Sequence, residues 1–138
     1  MDMRLELVPL PTSDVDASKA FYTDGMGFVL DHDVEPGNGM RVVQLTPPGS
    51  SCSIVIGVGM SDPDGPRVQN LHLVVDDIEA AHAFLEERGV ESSGPQHFLD
   101  GAMTPGVEPD RADYGTFIYF DDPDGNTWAV QEVKHHAR

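Results

Sequence analysis

The chain has 138 residues, a length that fits one compact unit able to bury about two thirds of the surface of its unfolded state. Its 8 basic and 24 acidic residues give a formal net charge of −16, which disfavours nucleic acids and anionic membrane surfaces as partners. The only cysteine, Cys52, cannot form an internal disulfide, and the sequence has no apolar signal region or bilayer-spanning run. We therefore expect a cytoplasmic protein.

The first half of the chain predicts one strand, one helix and three more strands. Residues 5–10 form a short apolar stretch closed by two prolines, and Ser13 or Asp14 is placed to cap a helix that runs to about Asp24. Separated by turns rich in Pro and Gly, further strands are predicted at residues 28–33, 41–46 and 53–58. This order is one βαβββ unit, module 1, at about residues 1–60.

The same order recurs after a linker at about residues 61–67. A strand at residues 71–75 precedes a helix over residues 77–88, which Asp76 is expected to cap with Glu79 in the capping-box position. A strand at residues 90–92 and a final hairpin complete module 2, at about residues 68–134. The stretch 94–113, rich in Gly and Pro, is predicted to be a long loop that is functional or mobile.

The two predicted helices align residue by residue at a constant offset. Asp14 aligns with Asp77 and Phe21 with Phe84, so each pair is 63 residues apart. Such an internal repeat indicates a duplicated structural unit. We therefore interpret residues 1–138 as a single domain made of two related modules.

The final hairpin is organised by a tight turn at residues 122–126. Pro123 fixes its own φ, Asp124 can bond its own backbone, and Gly125 can adopt a positive φ. The strand before the turn is β-branched and aromatic, and the strand after it alternates. We expect Trp128 and Val130 in the core, and Ala129 and Gln131 on the opposite face.

This turn, together with the repeated unit, resembles the vicinal oxygen chelate superfamily, which includes glyoxalase I, extradiol dioxygenases and bleomycin resistance proteins. The resemblance implies an α+β fold in which two tandem βαβββ modules form an eight-stranded, incompletely closed barrel around a shared cavity, with the helices outside. It also implies that two chains associate as a homodimer.

Metal-dependent members of that superfamily hold a divalent metal with four inward-facing His, Glu or Gln side chains. The positions that match in this sequence are Leu7, Asn70, Ala129 and either Ser53 or Val55. Leucine, alanine and valine side chains offer no donor atom, and serine and asparagine offer only weak neutral oxygens. We therefore predict no metal and no other cofactor. The alternative is one divalent metal at a displaced site that uses His72 and Gln131, which lie two residues beyond Asn70 and Ala129.

The expected pocket is apolar and aromatic with a few polar groups, which suits a hydrophobic or aromatic small molecule as partner. The predicted ligand-binding residues are Leu7, Val55, Asn70, His72, His97, Tyr114, Phe117, Tyr119, Ala129 and Gln131. Val74 belongs to the same lining, and Phe98 lies with His97 at one end of the long loop. The first hypothesis is a metal-independent protein that sequesters such a compound.

An enzyme with the same pocket is the alternative, and the sequence leaves the choice open. It would be a glyoxalase-like lyase, isomerase or dioxygenase, working either with the relocated metal or by metal-free acid/base catalysis. In the metal-free case His72 and Tyr119 are the candidate catalytic residues. His135 and His136 are assigned to a short polar tail rather than to a site.

Overall fold

The structure is a computed structural model that describes residues 1–135, and His136 of the expected polar tail lies outside that range. The chain divides into two compact units. The first unit holds residues 1–68 and the turn Asp122–Asn126, and the second holds residues 69–121 and 127–135. No helix within residues 1–135 is both long and apolar enough to cross a membrane.

The first unit is a four-stranded sheet with one helix. Its elements are β1 (Leu7–Pro9), α1 (Val15–Ala20, continued by a π-helical turn at Phe21–Gly25), β2 (Val29–Gly37), β3 (Met40–Thr46) and β4 (Ser53–Val58). The strand order is β1-β4-β3-β2, with β1 parallel to β4 and the other pairs antiparallel. Of the two predicted caps, Ser13 and Asp14, it is Asp14 that begins α1, because its carboxylate accepts the N–H of Ala17.

The second unit repeats this arrangement with one additional strand. Its elements are β5 (Leu71–Val75), α2 (Ile78–Glu87), β6 (Gln96–Leu99), β7 (Ala102–Pro105), β8 (Thr116–Asp121) and β9 (Thr127–Glu132). The strand order is β5-β9-β8-β6-β7, with β5 parallel to β9. The two helices begin 63 residues apart, at Val15 and Ile78, as the sequence repeat predicted.

Three local predictions for the second unit are wrong. The helix cap is Asp77, whose carboxylate accepts the N–H groups of Glu79 and Ala80, rather than Asp76. Residues 90–92 are not a strand. The predicted long loop contains the β6–β7 hairpin, whose tip residues Asp100 and Gly101 both have positive φ, 52° and 80°. The α+β fold of two modules with unclosed sheets is confirmed, and the second sheet has five strands instead of four.

The turn Asp122–Asn126 is built into the core of the first unit. The Asp122 carboxylate accepts the hydroxyl of the fully buried Tyr22 at 2.7 Å, and also the side-chain amide and backbone N–H of Asn126. Asp124 accepts hydroxyl hydrogens from Ser13 and Ser18, which lie just before α1 and within it. Burial acts to raise the pKa of the Asp124 carboxyl. The bonds from both hydroxyls and from the N–H of Ser13 outweigh burial and hold that pKa below its usual range. The turn is therefore a hydrogen-bonded partner of α1.

Candidate functional site

The second sheet has one face packed under α2 and one that we call its open face. Ile118, Phe120, Trp128 and Val130 are buried on the α2 side, as expected for the alternation of the last hairpin. Cross-strand partners lie on the same side of a sheet, and the register pairs His72 with Ala129, Ala129 with Tyr119, Val74 with Gln131, and Gln131 with Phe117. The open face therefore carries His72, Val74, Phe117, Tyr119, Ala129 and Gln131.

Three rings form what we call the aromatic cluster on this open face: Phe98, Phe117 and Tyr119. The rings of Phe117 and Tyr119 are parallel within 8° with centroids 5.9 Å apart, and Phe98 meets Phe117 edge-on at 6.4 Å. Phe98 is 61% exposed although it is a large apolar side chain. Burial raises the pKa of the Tyr119 hydroxyl above its usual range. The cluster thus offers exposed ring surface with one hydroxyl at its edge.

On the same open face, two strands away from Tyr119, the ring of His72 is fixed by a backbone carbonyl. Its Nδ1 lies 2.6 Å from the carbonyl oxygen of Asn70, a residue with a positive φ of 60°. A carbonyl oxygen only accepts, so Nδ1 must carry the hydrogen. In the neutral ring the lone pair is then on Nε2.

The amide of Gln131 is fixed in a similar way. Its Nε2 donates one hydrogen to the carbonyl oxygen of Tyr114 at 3.1 Å, which leaves the amide oxygen and one N–H of the side chain. Tyr114 has a positive φ of 66°, and its N–H donates to the carbonyl oxygen of Glu132. The contribution of Tyr114 to this face is therefore its backbone carbonyl, while its side chain is 52% exposed.

His97 is not brought to the open face with the other predicted residues. It pairs with Thr116 and follows Gln96, which pairs with Phe117, so its side chain points to the opposite side of the sheet from the aromatic cluster. The ring is 7% exposed, and its Nδ1 lies 2.7 Å from the Gly106 carbonyl oxygen. His97 thus secures the chain that follows β7.

Leu7 and Val55 belong to the first unit and are described there by themselves. Leu7 pairs with Ser53, and Val55, which is fully buried, pairs with Pro9 and Gln44. The Oγ of Ser53 receives the Gln44 amide at 3.2 Å and lies 2.7 Å from the Thr46 hydroxyl, which is bonded in turn to Asp31. This face of the first sheet is therefore a polar network beside apolar side chains.

The positions that match the metal ligands of relatives do not fit a metal. Leu7, Val55 and Ala129 carry no donor atom, and Asn70 and Ser53 are neutral. Residues 1–135 contain no group of three or more His, Cys, Asp or Glu side chains arranged to hold an ion.

Glu132, the acid on the last strand, lies on the α2 side of the sheet rather than on the open face. Its fully buried carboxylate accepts from Arg111 at 2.6 Å and from the Ile78 N–H. The Arg111 guanidinium holds the pKa of Glu132 below its usual range. This carboxylate therefore joins β9, α2 and the segment before β8, and it is already occupied by protein donors.

Sequence reasoning gave the strand parity of the open face but missed Met103. Met103 pairs with Phe98 across the β6–β7 hairpin, so it lies beside the aromatic cluster and is 36% exposed. The signal was available as Asp100-Gly101, a dipeptide typical of two-residue hairpin turns.

Two modules of this kind, each with a helix on one side of an unclosed sheet, match the glyoxalase-like fold. The sequence matches the family model of the Glyoxalase/Bleomycin resistance protein/Dioxygenase superfamily over residues 4–130. The chain therefore belongs to that superfamily.

Similar proteins include two with solved structures from Streptomyces sp. CB03234. TnmS3, an antibiotic binding protein, is 32% identical with a TM-score of 0.72, and the match covers 96% of this chain and 97% of that one. A glyoxalase/bleomycin resistance protein is 33% identical with a TM-score of 0.68, covering 93% and 99%. The curated protein CFP32 of Mycobacterium tuberculosis is 27% identical over 94% of this chain and 45% of its own length. The chain thus spans about half the length of CFP32.

Proposed function

We propose that this protein sequesters a hydrophobic or aromatic small molecule, without a metal, on the open face of its second sheet. The observation that carries the proposal is the aromatic cluster, in which Phe98 is exposed and Phe117 and Tyr119 are half-buried. Covering Phe98, Phe117 and Tyr119 with a ring system would remove apolar surface from water and add ring-to-ring contacts. Isolated exposed apolar residues are ordinary, but three rings in contact on one sheet face are typical of a binding surface.

The similarity to TnmS3 supports this proposal. That protein is described as an antibiotic binding protein, and the alignment spans nearly the whole of both chains. The mismatch between the metal-ligand positions and metal chemistry supports binding without a metal. The alternatives are enzymes of the same family, acting with a displaced metal or with His72 as a base, and the experiment below separates them from binding alone.

Equilibrium dialysis with 2-methoxynaphthalene tests the proposal. We expect saturable binding that survives dialysis against a chelator, less than about 0.1 metal per chain by elemental analysis, and compound recovered unchanged by mass spectrometry. No saturable binding of this compound, or of the three other aromatic compounds named in the next subsection, would overturn the proposal. Conversion of the compound, or binding lost with chelator, would replace it with the corresponding enzyme or metal hypothesis.

A pair of variants in the β6–β7 hairpin locates the binding surface. Phe98→Ala is expected to weaken binding about threefold to tenfold because it removes one ring of the cluster. Leu99→Ala is the matched control, since Leu99 is also exposed (54%) but points to the other side of the sheet. Equal weakening by both variants would place the surface elsewhere.

We further propose that the protein works in the cytoplasm as a homodimer. The cytoplasmic location is supported by the single cysteine. The dimer is supported by membership of the family.

A further inference from the structure

We infer that the open face of the second sheet selects aromatic ligands that carry a hydrogen-bond donor on the ring, either O–H or N–H. The inference rests on the proposed function, because it concerns the same surface. It follows from which polar atoms of that surface are already used by the protein and which are left for a ligand.

The acceptor character of the surface comes from His72 and Gln131. His72 donates its Nδ1 hydrogen to the carbonyl of Asn70, and Gln131 donates one of its two amide hydrogens to the carbonyl of Tyr114. Within residues 1–135 no hydrogen bond engages Nε2 of His72 or the amide oxygen of Gln131. In the neutral ring of His72, Nε2 can only accept from a ligand, and so can the amide oxygen of Gln131, whose nitrogen keeps one further N–H.

The spacing of these acceptors fits a stacked ring system. Gln131 is the direct neighbour of Phe117 across the strands β9 and β8, and His72 lies one strand further, beside the fully buried Ala129. Adjacent strands are about 4.8 Å apart, so His72 and Tyr119 stand about 10 Å apart across Ala129. A two-ring compound that covers Tyr119 and Phe117 can therefore extend its rim toward both acceptors.

The net charge of the chain also favours a neutral ligand with a donor group. A formal net charge of −16 disfavours an anionic ligand, whereas a neutral ring-bound donor avoids that repulsion. A ligand without a donor would cover His72 Nε2 or the Gln131 oxygen without replacing its water, which costs binding free energy. The expected ligand is thus a neutral aromatic compound with an O–H or N–H at its edge.

Two matched pairs of compounds test the inference by equilibrium dialysis. We compare 2-naphthol with 2-methoxynaphthalene, and indole with 1-methylindole, because methylation removes the donor and adds apolar surface. The wild-type protein is expected to bind the donor of at least one pair about tenfold more tightly than its methylated partner, and the pair that responds tells O–H from N–H recognition. Burial of apolar surface alone would favour the methylated compounds instead.

Variants assign the preference to the two acceptors. His72→Ala and Gln131→Ala are each expected to reduce the tenfold preference to about threefold or less, while affinity for the methylated compound changes little. His82→Ala is the control, since His82 lies on α2 and is bonded to Glu86. An unchanged preference in both variants would overturn the assignment to these residues.

The outcomes separate this inference from the proposed function. If all four compounds bind and neither donor is preferred by the wild-type protein, donor selection is wrong while aromatic binding stands. If none of the four binds, the proposed function itself fails.

Discussion

The backbone at Asn70 decides what His72 offers to a ligand. Strand parity in the sequence placed His72 on the same side as Gln131, and the register confirms it. The sequence could not give the hydrogen-bond partner of the ring. That partner is the backbone carbonyl of Asn70, which has a left-handed conformation, and an asparagine in a sequence does not by itself predict that conformation. The face of a side chain was thus predictable, and its donor or acceptor role required the structure.

His97 shows the opposite case. The sequence grouped it with Phe98 as residues that could close over a ligand, which is possible for two neighbours in an irregular loop. In a strand, consecutive side chains point to opposite faces, so only one of the two can belong to the aromatic cluster. The error came from the missed hairpin rather than from the chemistry of histidine.

At the same scale, Glu132→Gln tests how much the buried carboxylate stabilises the fold. We expect the free energy of unfolding to fall by about 1–2 kcal/mol at neutral pH, because the charged bonds to Arg111 are lost. Urea unfolding monitored by circular dichroism measures the difference. Glu79→Gln is the matched control, since Glu79 binds the same arginine from an exposed position and its loss should have no measurable effect.

The pH dependence follows from the lowered pKa of Glu132. A carboxyl whose pKa is lower in the folded state stabilises the fold above its unfolded pKa, and this contribution is lost as pH falls through the folded pKa. The stability gap between wild type and Glu132→Gln should therefore shrink on acidification from about pH 7 to below about pH 4. A gap that stays constant would mean that the ion pair contributes nothing specific to the folded state.

Among the elements, the β6–β7 hairpin changes the second sheet most. Gly and Pro in this stretch outweighed the alternation of Gln96–Leu99 in the sequence, so a loop was predicted. The Asp100-Gly101 turn closes the hairpin, and Phe98 and Met103 then face each other beside Phe117. The hairpin thus enlarges the open face by two apolar side chains, Phe98 from β6 and Met103 from β7.

Strand β4 contains a position that only glycine can occupy. A Cβ at Gly57 would lie 1.9 Å from the carbonyl oxygen of Arg41 on β3. Gly57→Ala should therefore lower the free energy of unfolding by about 3 kcal/mol, measured by urea unfolding, because the strands must separate. Gly39→Ala in the β2–β3 turn is the control, since it meets no atom within 4 Å and bears only its positive φ, a cost of about 1 kcal/mol. Similar losses at both positions would contradict the steric argument.

At the scale of the whole molecule, the prediction of two related modules rested mainly on the repeat in the sequence. The alignment of Asp14 with Asp77 anticipated two equivalent helices, although the second cap was predicted at Asp76 and lies at Asp77, the partner of Asp14 in that alignment. The extra strand could not come from the repeat, because module 1 has no counterpart of residues 100–106 between its own strands. A sequence repeat predicts the elements that both modules share, but it does not predict a strand that only module 2 contains.

Assembly is the property of the whole molecule that a solution measurement tests most directly. We expect light scattering to give the mass of two 15.0 kDa chains. Because each chain carries a formal charge of −16, the dimer should dissociate more readily at low ionic strength than at high ionic strength. A single-chain mass at all salt concentrations would contradict the homodimer.

The turn Asp122–Asn126 means that no single cut in the polypeptide separates the two units. A fragment that stops at residue 68 would contain every strand and helix of the first unit, yet it would leave the hydroxyl of Tyr22 without Asp122 and the carbonyl of Pro11 without Asn126. If this chain arose from two separate modules, residues 122–126 of the first unit had to come from the sequence of module 2. The two units are therefore similar in architecture, but the first unit is complete only with a segment from the second half of the sequence.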